Sequence, residues 1–261
     1  MCIFNPNPTL CLPHSPLKKM SSSTLRRSIP TVDRISDLPD SILCHILSFV
    51  PTKLAAITSV LSKRWKQVWL SVLALYFDQE AFIDFNSFRN FVNLTMSLRD
   101  EEIPIHSFTF KGADSCRLRQ RDFDRIFKIV MERGVENLNF DMCNKMHLIK
   151  LPPRILSFRT LHVLKLGQIQ MGDFQEVDFP CVKTLHLNSV YFLYAEHIVK
   201  FLQGCPILED LDTKDFVLKA SLVHLENLNA LPNLVKVRIR YHSDIPMTLV
   251  CKTKSLHVEE V

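Results

Sequence analysis

Two hydrophobic rhythms divide the chain. From Ile35 to Phe77, apolar residues recur every three or four positions, the period of a helix with one buried face. Ile42, Leu43, Ile46, Leu47 and Val50 share such a face, and Leu38 stands where a staple would pack back onto Ile42. Ser36 or Asp37 is expected to cap this first helix, Pro39 to fit its first turn and Pro51 to stop it. Thr52 is expected to cap a second short helix carrying Leu54, Ile57 and Leu61. Ser62 is expected to cap a third, with Trp65, Val68, Trp69, Val72 and Leu73 along one side. Three helices this short, with two tryptophans, present more apolar surface than so small a bundle can hide. Part of that surface calls for a partner.

Beyond the helices the rhythm shortens to two. Ala74 to Asp78 reads as a first strand, and Ser87 to Leu98 as a helix through Phe88, Phe91, Val92 and Leu98. A unit with apolar residues at positions one, four and six then recurs: Ile105/Phe108/Phe110, Val135/Leu138/Phe140, Leu161/Leu164/Leu166, Val182/Leu185/Leu187, Leu208/Leu211/Thr213 and Leu234/Val237/Ile239. Successive starts lie 30, 26, 21, 26 and 26 residues apart, and Thr253/Leu256/Val258 would begin a seventh unit 19 residues on. Most of these spacings lie within or near the 20–29-residue period of leucine-rich repeats. Between strands, Phe123, Ile126, Phe127, Ile129 and Val130 make an amphipathic helix that Gly134 can end. Ile198, Val199, Phe201 and Leu202 make another, ended by Gly204 and Pro206. The pattern predicts an α/β protein in which a three-helix module, residues 33–77, precedes an irregular leucine-rich-repeat solenoid with a curved parallel sheet, residues 78–261.

Composition narrows the picture. A content of 47% hydrophobic and 23% charged residues is that of a globular chain, and no run approaches the roughly 18 apolar residues of a membrane span. The formal charge of +5 is concentrated at the start, where Lys18, Lys19, Arg26, Arg27 and Arg34 face only Asp33. The near-neutral remainder argues against nucleic-acid binding. Residues 1–32, rich in Pro and Ser, read as a disordered basic tail, too broken by proline to form a signal peptide. Met20 is a plausible alternative start. The eight cysteines, Cys2, Cys11, Cys44, Cys116, Cys143, Cys181, Cys205 and Cys251, form no CxxC pair. Cys44 is expected on the polar side of its helix. Scattered free thiols point to a reducing compartment, nucleus or cytoplasm.

The segment LPDSILCHILSFVPTK followed by LSKRWKQVW resembles an F-box, in particular that of the plant F-box/leucine-rich-repeat families. GVENLNF, LPPRILSFRTLHVLKL, FPCVKTLHL and FLQGCPILEDL resemble the irregular repeats that follow it there, so the likeness covers about residues 33–258. One departure is the Asn/Cys rung usual at position nine, matched only by Cys143, with Ile169, Val190, Phe216 and His242 elsewhere. Another is the C-terminal FBD region of many family members, for which a chain stopping at Val261 leaves no room.

The resemblance implies a substrate-receptor subunit of a Skp–cullin–F-box ubiquitin ligase. The F-box would dock on a Skp-type adaptor, which ties it to cullin and the RING subunit, and the repeats would bind a target protein. Adaptor contact is expected on Leu38, Pro39, Ile42, Leu43, Ile46, Leu47, Val60 and Trp65, some of which must instead form the module's own core. Target contact is expected on strand side chains facing away from the core: Asn137, Asn139 and Asp141; Lys165; Thr184, His186 and Asn188; Asp210 and Asp212; Lys236, Arg238 and Arg240. This face runs from amides through mixed charge to a basic end, which suits a polar protein or a small anion. No GxSxG, HExxH, P-loop or dinucleotide glycine pattern occurs, and five glycines leave little for phosphate-cradling loops. No enzyme, metal or cofactor is expected. The alternative is a leucine-rich interaction scaffold that does not assemble into a ligase.

Overall fold

The structure, a computed structural model, describes residues 33–142, 148–215, 217–218, 230–240 and 245–259. The tail expected over residues 1–32, the alternative start at Met20 and the rung residues Cys143, Phe216 and His242 lie outside the described residues. Residues 33–37 make a turn in which the Ser36 N–H donates to Asp33 Oδ1 at 3.0 Å.

In chain order the remaining elements begin with α1 (Asp40–Leu47), α2 (Thr52–Ile57), α3 (Lys63–Leu70), β1 (Ala74–Asp78), α4 (Phe85–Leu98), β2 (Ser107–Lys111), α5 (Gln120–Glu132), β3 (Asn137–Asp141) and β4 (Ile149–Leu151). They continue with β5 (Val163–Gly167), β6 (Ile169–Met171), β7 (Thr184–Asn188), β8 (Tyr191–Phe192), α6 (Ala195–Gln203), β9 (Asp210–Lys214), β10 (Val217–Leu218), β11 (Lys236–Arg240), α7 (Met247–Val250) and β12 (Ser255–Glu259).

The three helices form where the apolar period puts them, but two caps differ from expectation. Pro39, not Ser36 or Asp37, occupies the N-cap of α1, and its carbonyl accepts from Ile42 and Leu43. Ser36 is engaged in its own turn with Asp33. Pro51 caps α2, which leaves Thr52 inside the helix with its hydroxyl accepting the Tyr76 N–H at 2.8 Å. Ser62 does cap α3, accepting from Trp65 N at 3.3 Å. Leu43, Leu47, Ala55, Trp65, Val68, Trp69, Leu70 and Val72 pack into one small cluster, with Leu38 and Cys44 against it. Cys44 thus faces inward rather than to the polar side: its thiol donates to the Val68 carbonyl at 3.3 Å, and burial pushes its pKa up.

An eight-stranded parallel sheet follows in the order β1-β2-β3-β5-β7-β9-β11-β12. Every neighbour pairs in the same register, so residues at one strand position form rows across the sheet. Two rows are apolar. One runs from Leu75 and Phe108 through Leu138, Leu164, Leu185 and Leu211 to Val237, and the other holds Phe77, Phe110, Phe140, Leu166 and Leu187. These side chains join α4, α5 and α6 in a single core, where Phe110 and Phe140 stack at 4.7 Å. The seventh unit expected at Thr253 supplies β12. The same pattern begins one unit earlier than expected, at Val72/Leu75/Phe77, all buried, so β1 opens the sheet directly after the helices.

The rung departure has a structural answer. Gln168, Ser189 and Asp215 take left-handed φ of 55°, 51° and 52° immediately after β5, β7 and β9. These turns lead the chain toward a second, four-stranded parallel sheet, β10-β8-β6-β4. Ile169 opens β6 and is fully buried, as is Val190 beside β8. At these positions apolar side chains fill the core, and Ile169 pairs with Ile149 of β4 rather than joining an Asn or Cys ladder.

Candidate functional site

Two surfaces stand out, one on the helices and one on the large sheet. On α1 and in the turn after it, Ile42, Ile46 and Phe49 are 45%, 44% and 75% exposed, spaced to share one side of the chain. Leu54, Ile57, Val60 and Leu61 are all more than half exposed on and after α2. So much large apolar surface in under twenty-five residues is unlike the scattered single exposures of an ordinary surface.

The eight expected adaptor residues therefore divide. Ile42, Ile46, Val60 and Pro39 lie at the surface, and Leu38 is half-buried against the cluster. Leu43, Leu47 and Trp65 do not offer surface to a partner, because they are the module's core. An α1 of only eight residues must give one stripe to α3 and the other to solvent, and the 3.6-residue period puts Leu43 and Leu47 inside. Phe49, Leu54, Ile57 and Leu61 are additional exposed residues that the sequence reading did not place at a site. Their signal was available: α1 and α2 together are too small to enclose every apolar residue they carry.

On the sheet, the first, third and fifth positions of each strand face away from the core. All twelve expected target residues take these positions, so the register gathers them on one open face. Eleven are partly or fully exposed. Asp212 is not, being 7% exposed. Its carboxylate holds Arg238 through Nη2 at 2.8 Å and Nε at 2.9 Å, and Arg240 through Nη2 at 2.8 Å. The basic end of the face is thus partly neutralised from within, which alternation alone does not reveal. Burial, with Lys165 nearby, holds the His186 pKa below its usual value against the pull of Asp212 and Asp210.

The register also adds residues to the face. Tyr76 and Asp78 on β1, Thr109 and Lys111 on β2 and Lys214 on β9 occupy the same three rows. The Tyr76 hydroxyl donates to Asp78 at 3.1 Å, and the Lys111 ammonium lies 5.3 Å from the Tyr76 ring centre. Interaction with the Tyr76 side chain, with Asp78 and Asp141 nearby, raises the Lys111 pKa. Among the described residues, no group of three His, Cys, Asp or Glu side chains could hold a metal ion, and no helix is long and apolar enough to cross a membrane.

Comparison with known proteins bears on both surfaces. Residues 35–74 match the family model of the F-box domain. Residues 123–244 match the model described as FBD-associated F-box protein At5g56370, LRR repeats. The chain is similar to the F-box/LRR-repeat protein At4g14096 of Arabidopsis thaliana, 38% identical over 194 residues that cover 70% of this chain and 40% of the relative. It is likewise similar to the putative F-box protein At1g58310 of the same plant, 38% identical over 231 residues, 75% of this chain and 45% of the relative. A third, the F-box/LRR-repeat protein At4g14103, also of Arabidopsis thaliana, is 37% identical over 198 residues, 70% of this chain and 50% of the relative. The chain spans half or less of the length of these relatives. No solved structure matches it.

Proposed function

Because the chain belongs to the plant F-box/leucine-rich-repeat family, whose members generally serve ubiquitin ligases in substrate recognition, we propose that it is the receptor subunit of a Skp–cullin–F-box ligase. The observation that carries this reading is the apolar surface of the F-box helices, with Ile42, Ile46, Phe49 and Val60 at 44% exposure or more. A hydrophobic surface of this kind suits a Skp-type adaptor, through which cullin and the RING subunit would be recruited. The open face of the sheet would hold the target protein. Proteins of this family are typically non-catalytic, and the receptor's contribution is proximity: it raises the local concentration of target beside chemistry that belongs to other subunits. Cys44, Cys116, Cys181, Cys205 and Cys251 are free thiols, which supports residence in the nucleus or cytoplasm.

The test is co-purification of the full chain with a Skp-type adaptor. Ile46→Asp places a carboxylate on an exposed apolar stripe, so it is expected to leave folding intact and weaken adaptor binding by tenfold or more, on the order of the burial penalty for an unpaired charge. Leu38→Ala with Pro39→Ala is expected to act in the same direction. Undiminished pull-down by both variants would show that the helices do not dock an adaptor, and would favour a repeat scaffold outside a ligase.

A further inference from the structure

The middle row of the open face is unevenly committed. At one end Tyr76 is bonded to Asp78, and at the other Asp212 is taken up by Arg238 and Arg240. Between them Asn139, Lys165 and His186 stand side by side in register on β3, β5 and β7. None of the three makes a hydrogen bond or ion pair among the described residues, and the His186 Nε2 is buried without a partner. A half-buried lysine next to an unsatisfied ring nitrogen is an arrangement that folding alone does not favour.

These three side chains border a depression of about 260 Å³ whose floor lies at Gly167. Gly167 is the one residue of its row without a side chain, and a Cβ there would stand 2.5 Å from Asp141 Oδ1. The space is therefore already held by the Asp141 carboxylate, and the depression depends on glycine. Three basic groups, Lys165, Lys214 and Arg240, line it against the carboxylates of Asp141 and Asp212. The excess is positive, and the strand spacing of about 4.8 Å puts Asn139 and His186 roughly 10 Å apart across Lys165. That width admits one carboxylate on the ammonium, flanked by the amide and the imidazole.

We propose that Asn139, Lys165 and His186, over the Gly167 floor, form a subsite for an acidic side chain, Asp or Glu, of the target polypeptide. The subsite rests on the reading of the open face as the target surface. It gives that face a fixed point: the carboxylate sets the register of the bound segment, and its absence in a competing polypeptide leaves Lys165 half-buried and unpaired.

A randomised peptide library displayed on phage and selected on the full chain bound to its adaptor tests both levels. The expected result is a set of binders with one fixed Asp or Glu. Replacing that residue by Asn or Gln, and separately making Lys165→Gln, should each weaken binding about tenfold, with little further loss when the two are combined. Gly167→Ala, which forces Asp141 to move, should also weaken it. Adaptor binding by the variants reports that they remain folded. Binders that lose affinity on Lys236→Glu yet carry no acidic position, or that ignore Lys165→Gln, would overturn the subsite while leaving the open face as the target surface. Binders indifferent to every open-face variant would overturn both.

Discussion

Leu43 and Ile46 lie three residues apart on α1, yet the first is fully buried and the second 44% exposed. Sequence periodicity puts both on one apolar face; only the placement of α3 against Leu43 and Leu47 separates core from surface. Leu43→Ala is accordingly expected to lower stability by about 2–5 kcal/mol, a transfer and cavity effect. Ile46→Ala should leave the thermal midpoint nearly unchanged, and chemical denaturation of the two variants checks the contrast. His197 gives a second residue-scale expectation. It is 4% exposed, its ring tilted against that of Phe174 at 4.5 Å, and burial holds its pKa below 6.5 although Asp173 lies 3.3 Å away and pulls the other way. As pH falls through 6.5 the unfolded chain takes the proton first, so stability present at neutral pH is lost toward the folded-state pKa. His197→Gln should therefore lose less stability than the parent between pH of about 7.5 and 5.5 in matched denaturant titrations. An equal loss in both would place the acid sensitivity on other groups.

At the scale of elements, the strands were legible because their one-four-six pattern repeats, and so were α5 and α6 with their terminating glycines. The small sheet was not: β4, β6, β8 and β10 are two or three residues long, and such runs carry no period to read. Nor does alternation show which polar residues of the open face are already paired. The link between β9 and β11 makes this consequential. Asp212, with a side chain 9% exposed, is held by Arg238 and Arg240, whose side chains are 31% and 35% exposed. Removing both cations as Arg238→Gln and Arg240→Gln leaves a buried carboxylate unpaired. After allowing for solvent screening at the arginines, a loss of about 1–3 kcal/mol is expected. Adding Asp212→Asn should restore most of it. Charge reversal at Arg238 or Arg240 is therefore a poor probe of target binding, and Lys236, exposed and outside this pair, is the cleaner one.

At the scale of the whole molecule, the family match and the structure meet at β1. The F-box match ends at residue 74, where β1 begins, and β1 pairs with β2 along its full length. The helices and the repeats are joined by more than the chain. Thr52 accepts the Tyr76 N–H, Lys53 donates to the Ala81 carbonyl and lies over the Phe82 ring, and Arg99 from the end of α4 donates to the Val72 carbonyl at 2.6 Å. Burial, with Arg133 close by, lowers the Arg99 pKa to about 10, still far above neutrality, so the guanidinium stays charged. Such a junction would hold a bound target at a set position relative to the adaptor. Thr52→Val, which keeps the volume but strands the Tyr76 N–H, should cost about 1–2 kcal/mol and leave adaptor affinity unchanged. Among the described residues, the helical cluster contains eight buried apolar residues, while the repeat core extends from Leu75 to Val250. By burial alone the helices lack the core to stand free. Residues 38–72 expressed alone are therefore expected to show little helix by circular dichroism and no cooperative melting. They should gain helix when the adaptor is added if, as proposed, it docks on Ile42, Ile46 and Phe49, because binding would then stabilise the folded form by mass action. In the full chain the amides of α1 and α3 should instead be protected from hydrogen exchange without any adaptor. A sharp thermal transition in the isolated segment would refute this dependence, and would mean that the junction aligns two independently stable parts rather than completing one.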